Sequence, residues 1–145
     1  MDSWNLRLDD LMPVIRERLE AGETVEFMPR GVSMLPLLRQ GRDAVVLSPL
    51  PERLRKYDVV LYRRRNGQYV LHRIVECGET YTCMGDNQFA REPGLRREQM
   101  IAVMTAYRRD GKLRSVTATG YRVYVRLWHW TRPLRRIMRK IKGQT

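Results

Sequence analysis

Asp58-Val59-Val60-Leu61-Tyr62-Arg63-Arg64 and Gln68-Tyr69-Val70-Leu71-His72-Arg73-Ile74-Val75 are two β-prone runs joined by Arg65-Asn66-Gly67. Branched and aromatic residues dominate both runs, and Asn-Gly is the preferred pair for a type I′ turn. The stretch therefore reads as an antiparallel hairpin. Alternation sets His72 and Ile74 on one face, with Leu71, Arg73 and Val75 on the other.

The flanking chain has the same character. Thr24–Met28 and Ala44–Leu47 read as strands before the hairpin, and Pro49 and Pro51 end the second of them. A strand over Glu79–Met84 follows a turn at Gly78. Gly85-Asp86-Asn87 then opens a polar loop reaching Pro93-Gly94. Met100–Tyr107 and Lys112–Thr117 form a last expected hairpin across Asp110-Gly111. Ahead of the strands, Leu8, Leu11, Met12, Ile15 and Leu19 make a helical stripe within Leu6–Leu19, capped by Ala21-Gly22. One helix is too little for a helix-turn-helix, so operator binding is not expected. The fold class that follows is mainly β and antiparallel. It divides into an N-terminal helix (1–21), a β region (22–118) and a basic amphipathic helical tail (119–145), all within one domain of 145 residues.

The net charge of +12 is unevenly spread. Asp110 is the last acidic residue, and ten Lys and Arg residues follow between Lys112 and Lys142, so the first 110 residues are close to neutral. An anionic partner is expected for the tail alone. Val123, Leu127, Trp130, Leu134, Ile137, Met138 and Ile141 recur at helical spacing with the Arg residues mostly off the stripe. Pro133 is expected to kink or split that helix near Thr131. Three partners suit such a tail: an anionic membrane surface, nucleic acid, or an acidic protein. For the membrane, Tyr121, Tyr124, Trp128 and Trp130 are headgroup-region residues. The bland reading is a helix docked on the sheet with its Arg face in water.

Cys77 and Cys83 cannot make a disulfide framework, and their spacing fits no zinc pattern. Two free thiols are expected, which leans intracellular, and neither metal nor cofactor is called for. The N-terminus has no basic region followed by an apolar core, and no run approaches the roughly 18 apolar residues of a membrane span. The expected location is cytoplasmic, peripheral to the inner face of the membrane.

Candidate chemistry centres on Gly31-Val32-Ser33-Met34-Leu35-Pro36, where a Ser sits at a bend between Gly and Pro. Ser needs a neighbouring base at neutral pH. Of the two His residues, His129 lies in the basic tail, leaving His72, with Asp86 or Glu92 from the polar loop to orient it. On composition alone the same residues read equally as a turn Ser, a half-buried strand His and a turn-forming Asp.

Taken together, Gly31-Val32-Ser33-Met34-Leu35-Pro36, Gly41-Arg42-Asp43, Tyr57-Asp58-Val59-Val60-Leu61-Tyr62, Leu71-His72-Arg73-Ile74-Val75 and Gly85-Asp86-Asn87, in that order, resemble the serine peptidase superfamily of type I signal peptidases and LexA-like autoproteases. The likeness is greatest to small bacterial members without membrane spans, and it runs from about residue 22 to 107. It implies an antiparallel β fold, Ser33 as nucleophile and His72 as base, as in the branch where His replaces Lys. It also implies Asp86 or Glu92 as the third group, and an extended peptide or precursor protein, small beside the scissile bond, as substrate. Lys56 is the alternative base by analogy with Ser-Lys dyads, although it lies in a charge run.

Two departures stand out. Gly31 and Val32 replace the small hydroxyl residue that helps form the oxyanion hole, leaving the Ser33 amide as main donor. One lost donor costs roughly 100- to 1000-fold in rate. Tyr57 replaces the usual Gly before the hairpin Asp. A non-catalytic peptide-binding member of the same fold, acting at a membrane surface or with a partner protein, is the alternative function.

Overall fold

The computed structural model describes residues 3–29 and 31–143, with side chains from Asp9 onward. Helix α1 (Ser3–Glu20) leads into strands β1 (Val25–Phe27), β2 (Ala44–Ser48), β3 (Val59–Arg63), β4 (Tyr69–Cys77), β5 (Tyr81–Met84), β6 (Glu92–Leu95), β7 (Met100–Arg109) and β8 (Lys112–Ser115). Helices α2 (Thr119–Trp130) and α3 (Arg132–Gly143) close the chain. Every strand pairing is antiparallel, in the order β1-β2-β7-β3-β4-β5-β6 with β8 on β7. The expected mainly β architecture with one leading helix and a helical tail is what the chain forms. Leu8 and the extreme residues of the expected end segments lie outside the described side chains.

Local signals explain most element ends. The Gly22 N–H bonds to Leu19 O and the Glu23 N–H to Arg18 O, and Gly22 takes a left-handed φ of 81°. That is the glycine C-cap expected after α1. Of the α1 stripe, Met12, Ile15 and Leu19 are buried, whereas Leu11 faces solvent. The β3–β4 connection differs from the expected type I′ turn. The Gly67 N–H bonds to Arg64 O and the Arg64 N–H to Gln68 O. Gly67 has a positive φ and Asn66 does not. This is a three-residue loop, a turn followed by a left-handed glycine, and Asn66 instead accepts from the Gln68 N–H through Oδ1. The β7–β8 turn has two consecutive left-handed residues, Asp110 and Gly111. Strand β6 falls inside the segment expected to be a polar loop. Its edge position and its Pro and Gly hide it from pattern reading.

The sheet carries a hydrophobic cluster on each face. One gathers Met12, Ile15 and Leu19 of α1 with Leu37, Leu38, Val45, Leu61 and, from α2, Tyr121 and Val125. The other gathers Leu54, Val60, Tyr62, Ile74, Cys83 and Val103. Full burial of each such aliphatic side chain contributes roughly 1.5–3 kcal/mol. Cys83 lies within the second cluster as a free thiol and Cys77 is exposed. Among the described residues, no helix is long and apolar enough to cross a membrane.

The break between α2 and α3 falls at Thr131, as Pro133 predicts. The face that docks is not the expected stripe. Tyr121 and Val125 are buried and Tyr124 packs beside them, while Val123, Leu127 and Trp130 point to solvent.

Candidate active site

Three segments converge at the C-terminal end of β5. Gly31, with φ 93°, opens the Ser33 turn in a conformation that glycine alone adopts at no steric cost. The Leu35 N–H bonds to Val32 O and the Leu38 N–H to Met34 O, winding residues 32–38 into a compact turn. Met34, Leu37 and Leu38 anchor it in the core. Asp43, fully buried, accepts from the Arg39 backbone N–H and from its guanidinium, pinning the far side of the turn. The Gly41-Arg42-Asp43 segment thus supports the turn and lies away from the chemistry.

The loop after β5 holds the turn from the other side. The Asn87 N–H donates to Ser33 O at 2.8 Å and its side-chain amide to Val32 O at 3.0 Å. Gly85 lies so close that a Cβ on it would stand 2.5 Å from Ser33 O and 3.1 Å from Ser33 Cβ. Arg73 on β4 pairs with Met84 on β5, the end pair of that ladder, so His72 and Gly85 each lie one residue beyond a paired position. Ser33 therefore packs against the residue that follows Arg73's strand partner. Among the described residues no hydrogen bond joins Ser33 Oγ to His72. Such bonds are often long before substrate binds.

His72 is 6% exposed. Burial, assisted by the Arg64 charge, lowers its pKa to about 4, against the opposing pull of Glu92 and Asp86. The ring is therefore neutral at pH 7. Its Nδ1 lies 3.4 Å from the Tyr62 hydroxyl, which donates its proton to Glu92 Oε1 at 2.8 Å. With that proton committed, the Tyr62 oxygen can only accept, so the arrangement favours the Nδ1–H tautomer and leaves the Nε2 lone pair free. Glu92 is held by Arg64 Nε and Nη2. Burial would raise the Glu92 pKa, but the bonds from Arg64 and Tyr62 keep it below the usual range.

The two candidate carboxylates thus part company. Glu92 reaches His72 through Tyr62. Asp86 does not serve His72. Both its oxygens accept from Arg73, at 2.8 Å each, with both side chains fully buried. Tyr124 donates to the same carboxylate, and His129 Nε2 stands 3.7 Å away. Burial alone would raise the Asp86 pKa; the Arg73 charge and hydrogen bonds overcome it and hold the group ionised far below the usual range. The physical reason is strand alternation, since Arg73 faces opposite to His72 and claims Asp86 on its side. Lys56 also has another place, with Nζ 5.1 Å from the Tyr57 ring centre.

Tyr57 takes a left-handed φ of 80°. A bulky residue in that region costs on the order of 1–3 kcal/mol. It is held by its N–H bond to Ile74 O, by Arg73 Nη1 donating to its carbonyl, and by ring contact with His129.

Three participants were not legible as site residues. Tyr62 could have been found by parity, since it lies two positions diagonally from His72 on one face of the hairpin. Asn87 was quoted only as part of a motif, and Arg139, which donates to Asn87 O and Oδ1 from α3, carries no local signal at all. Searches of known protein families, of curated proteins and of solved structures find no match to this chain.

Proposed function

We propose that the protein is a serine endopeptidase of the signal-peptidase-like type, with Ser33 as nucleophile and His72 as general base. The observation that carries the reading is the close packing of Ser33 on Gly85, which directly follows Met84, the strand partner of His72's chain neighbour Arg73. In the reaction, His72 Nε2 takes the Ser33 proton as Oγ attacks the scissile carbonyl. The imidazolium then returns a proton to the leaving amine, and water repeats the sequence on the acyl-enzyme. The ionised Glu92, acting through the Tyr62 hydroxyl, holds the imidazole in the tautomer this requires and offsets the positive charge it acquires. The Ser33 amide is the principal oxyanion donor, because Val32 has no hydroxyl to add.

An extended peptide is the substrate that suits this frame. The sheet ends on β1, which leads into the nucleophile turn, and on β6, which follows the Gly85 loop. Open strand edges accept a peptide through main-chain hydrogen bonds.

Labelling with a fluorophosphonate across pH 6–9 tests the proposal. Wild-type protein is expected to label, while Ser33→Ala is silent and His72→Ala is slowed by about 100-fold or more. Absence of any Ser33-dependent labelling would remove the catalytic reading. It would favour the second one, a peptide-binding member of this fold, whose specific support is the His72 ring with no hydrogen bond to Ser33.

A further inference from the structure

Helix α3 docks on the protein through its charges. Arg132 Nη1 approaches Met84 Sδ. The Arg135 guanidinium lies over the Trp128 ring at 3.5 Å and donates to the Trp128 carbonyl. Arg139 donates to Asn87 and lies 4.7 Å from the Phe89 ring centre. At 100° per residue these three fall within an arc of about 60°. Leu134, Ile137, Met138 and Ile141 occupy the opposite arc and are 50–61% exposed, with no described residue of α3 buried. Helix α2 repeats the arrangement: Tyr121 and Val125 face the body, and Val123, Leu127 and Trp130 face away, Trp130 at 80% exposure. The expected aromatic set is thereby reduced. Tyr121 is buried, Tyr124 bonds to Asp86, and the Trp128 indole donates to Asp86 O at 2.7 Å, so Trp130 alone remains for an external partner.

We propose that this outward apolar face binds the surface of an anionic bilayer, lying in the headgroup region without crossing it. Seven exposed aliphatic and aromatic side chains on two successive helices exceed the scattered apolar residues normal for a protein surface. Their border is cationic: Arg136 and Lys140 run along one side of the arc on α3, and no carboxylate occurs between Gly111 and Gly143. A second copy would set one uncompensated basic tail against another, which opposes self-association. A continuous apolar strip, one exposed Trp and a basic border together match an interfacial helix. Because Arg139 also holds Asn87, which fixes the Ser33 turn, a bilayer on α3 would lie beside the candidate site, near the exposed side chains of Met28 and Val32.

Co-sedimentation of the full chain with vesicles tests this. Binding is expected to mixed phosphatidylcholine–phosphatidylglycerol vesicles and to be far weaker with phosphatidylcholine alone. Each basic residue near the surface is worth about fivefold in partitioning. The double variant Ile137→Asp/Ile141→Asp changes exposed positions only. It is expected to keep the wild-type melting temperature and lose binding. A blue shift of Trp emission on binding is expected to disappear in Trp130→Phe. Equal recovery with neutral and anionic vesicles would overturn the proposal. So would binding that ignores the Ile137 and Ile141 changes, or a solution dimer that the same changes dissolve. Ser33→Ala is expected to bind vesicles like wild type, so failure here leaves the peptidase reading standing, and the reverse also holds.

Discussion

Gly85→Ala probes the joint between the Ser33 turn and the end of β5, on which the proposed Ser33–His72 pairing depends. Gly85 does not have a left-handed φ, so alanine is acceptable to its backbone and the effect is purely steric. The added Cβ would stand 2.5 Å from Ser33 O, 2.9 Å from Gln88 Oε1 and 3.1 Å from Ser33 Cβ. The Gln88 side chain can swing away. The Ser33 carbonyl cannot do so freely, because it accepts the Asn87 N–H at 2.8 Å. Bringing the first contact to even 3.0 Å requires the turn to move by at least about 0.5 Å, which strains that hydrogen bond. Misplacement of a reacting group by about 1 Å can cost roughly 100-fold in rate, so a loss of about tenfold or more is expected in Ser33 phosphonylation. Stability should suffer less. Overpacking costs about 1–3 kcal/mol, and the reduced freedom of the unfolded chain returns about 0.4–1 kcal/mol. The assay is the second-order labelling rate measured beside a thermal melt. A variant that labels within about twofold of wild type would refute the packing of Ser33 on Gly85, and with it the geometry that joins Ser33 to His72.

The pH dependence of labelling should have its acid limb near pH 4 instead of 6.5, because burial and Arg64 depress the His72 pKa to about 4; a limb between 6 and 7 would show a solvated His. The same depression makes the unfolded chain bind more protons between about pH 4 and 6.5, so stability rises with pH across that window, by roughly 3 kcal/mol in total from this group. Tyr62→Phe removes the hydroxyl between His72 and Glu92 and should slow labelling roughly 10- to 100-fold, the worth of a hydrogen bond to a charged group. A Tyr62→Phe rate equal to wild type would exclude the relay. Asp86→Asn should destabilise the fold by about 3–5 kcal/mol through the buried Arg73 charge it leaves uncompensated, with the acid limb moving only slightly, and downward, because Asp86 is the last and smallest influence on His72. A limb lowered by about a full pH unit in a stable Asp86→Asn protein would return Asp86 to the role of His72's partner.

Much of this chain could be read from local pattern alone. Alternation over β3 and β4, the glycine cap after α1, the strand-ending prolines and the split at Thr131 each depend on a few neighbouring residues, and each lies where expected. The site was legible only by residue type: a Ser at a bend, one strand His, two carboxylates in a loop. Which carboxylate serves His72 was decided in three dimensions. Arg73 emerges opposite to His72 and takes Asp86, while Tyr62, diagonal to His72, passes Glu92's charge to the ring. The tail's outward stripe was likewise visible as periodicity, but periodicity cannot say which face meets the body. That depended on Tyr121 finding Arg73 and Trp128 finding the Asp86 carbonyl, contacts more than forty residues distant in the chain. The sequence by itself determined the helices and every strand but β6, because those follow from short-range backbone and side-chain preferences, and it supplied the candidate Ser33, His72, Asp86 and Glu92 by residue type alone. Only the tertiary structure decided the pairing of charges and the exposed face of α3, because burial selects partners among residues that the chain does not set side by side.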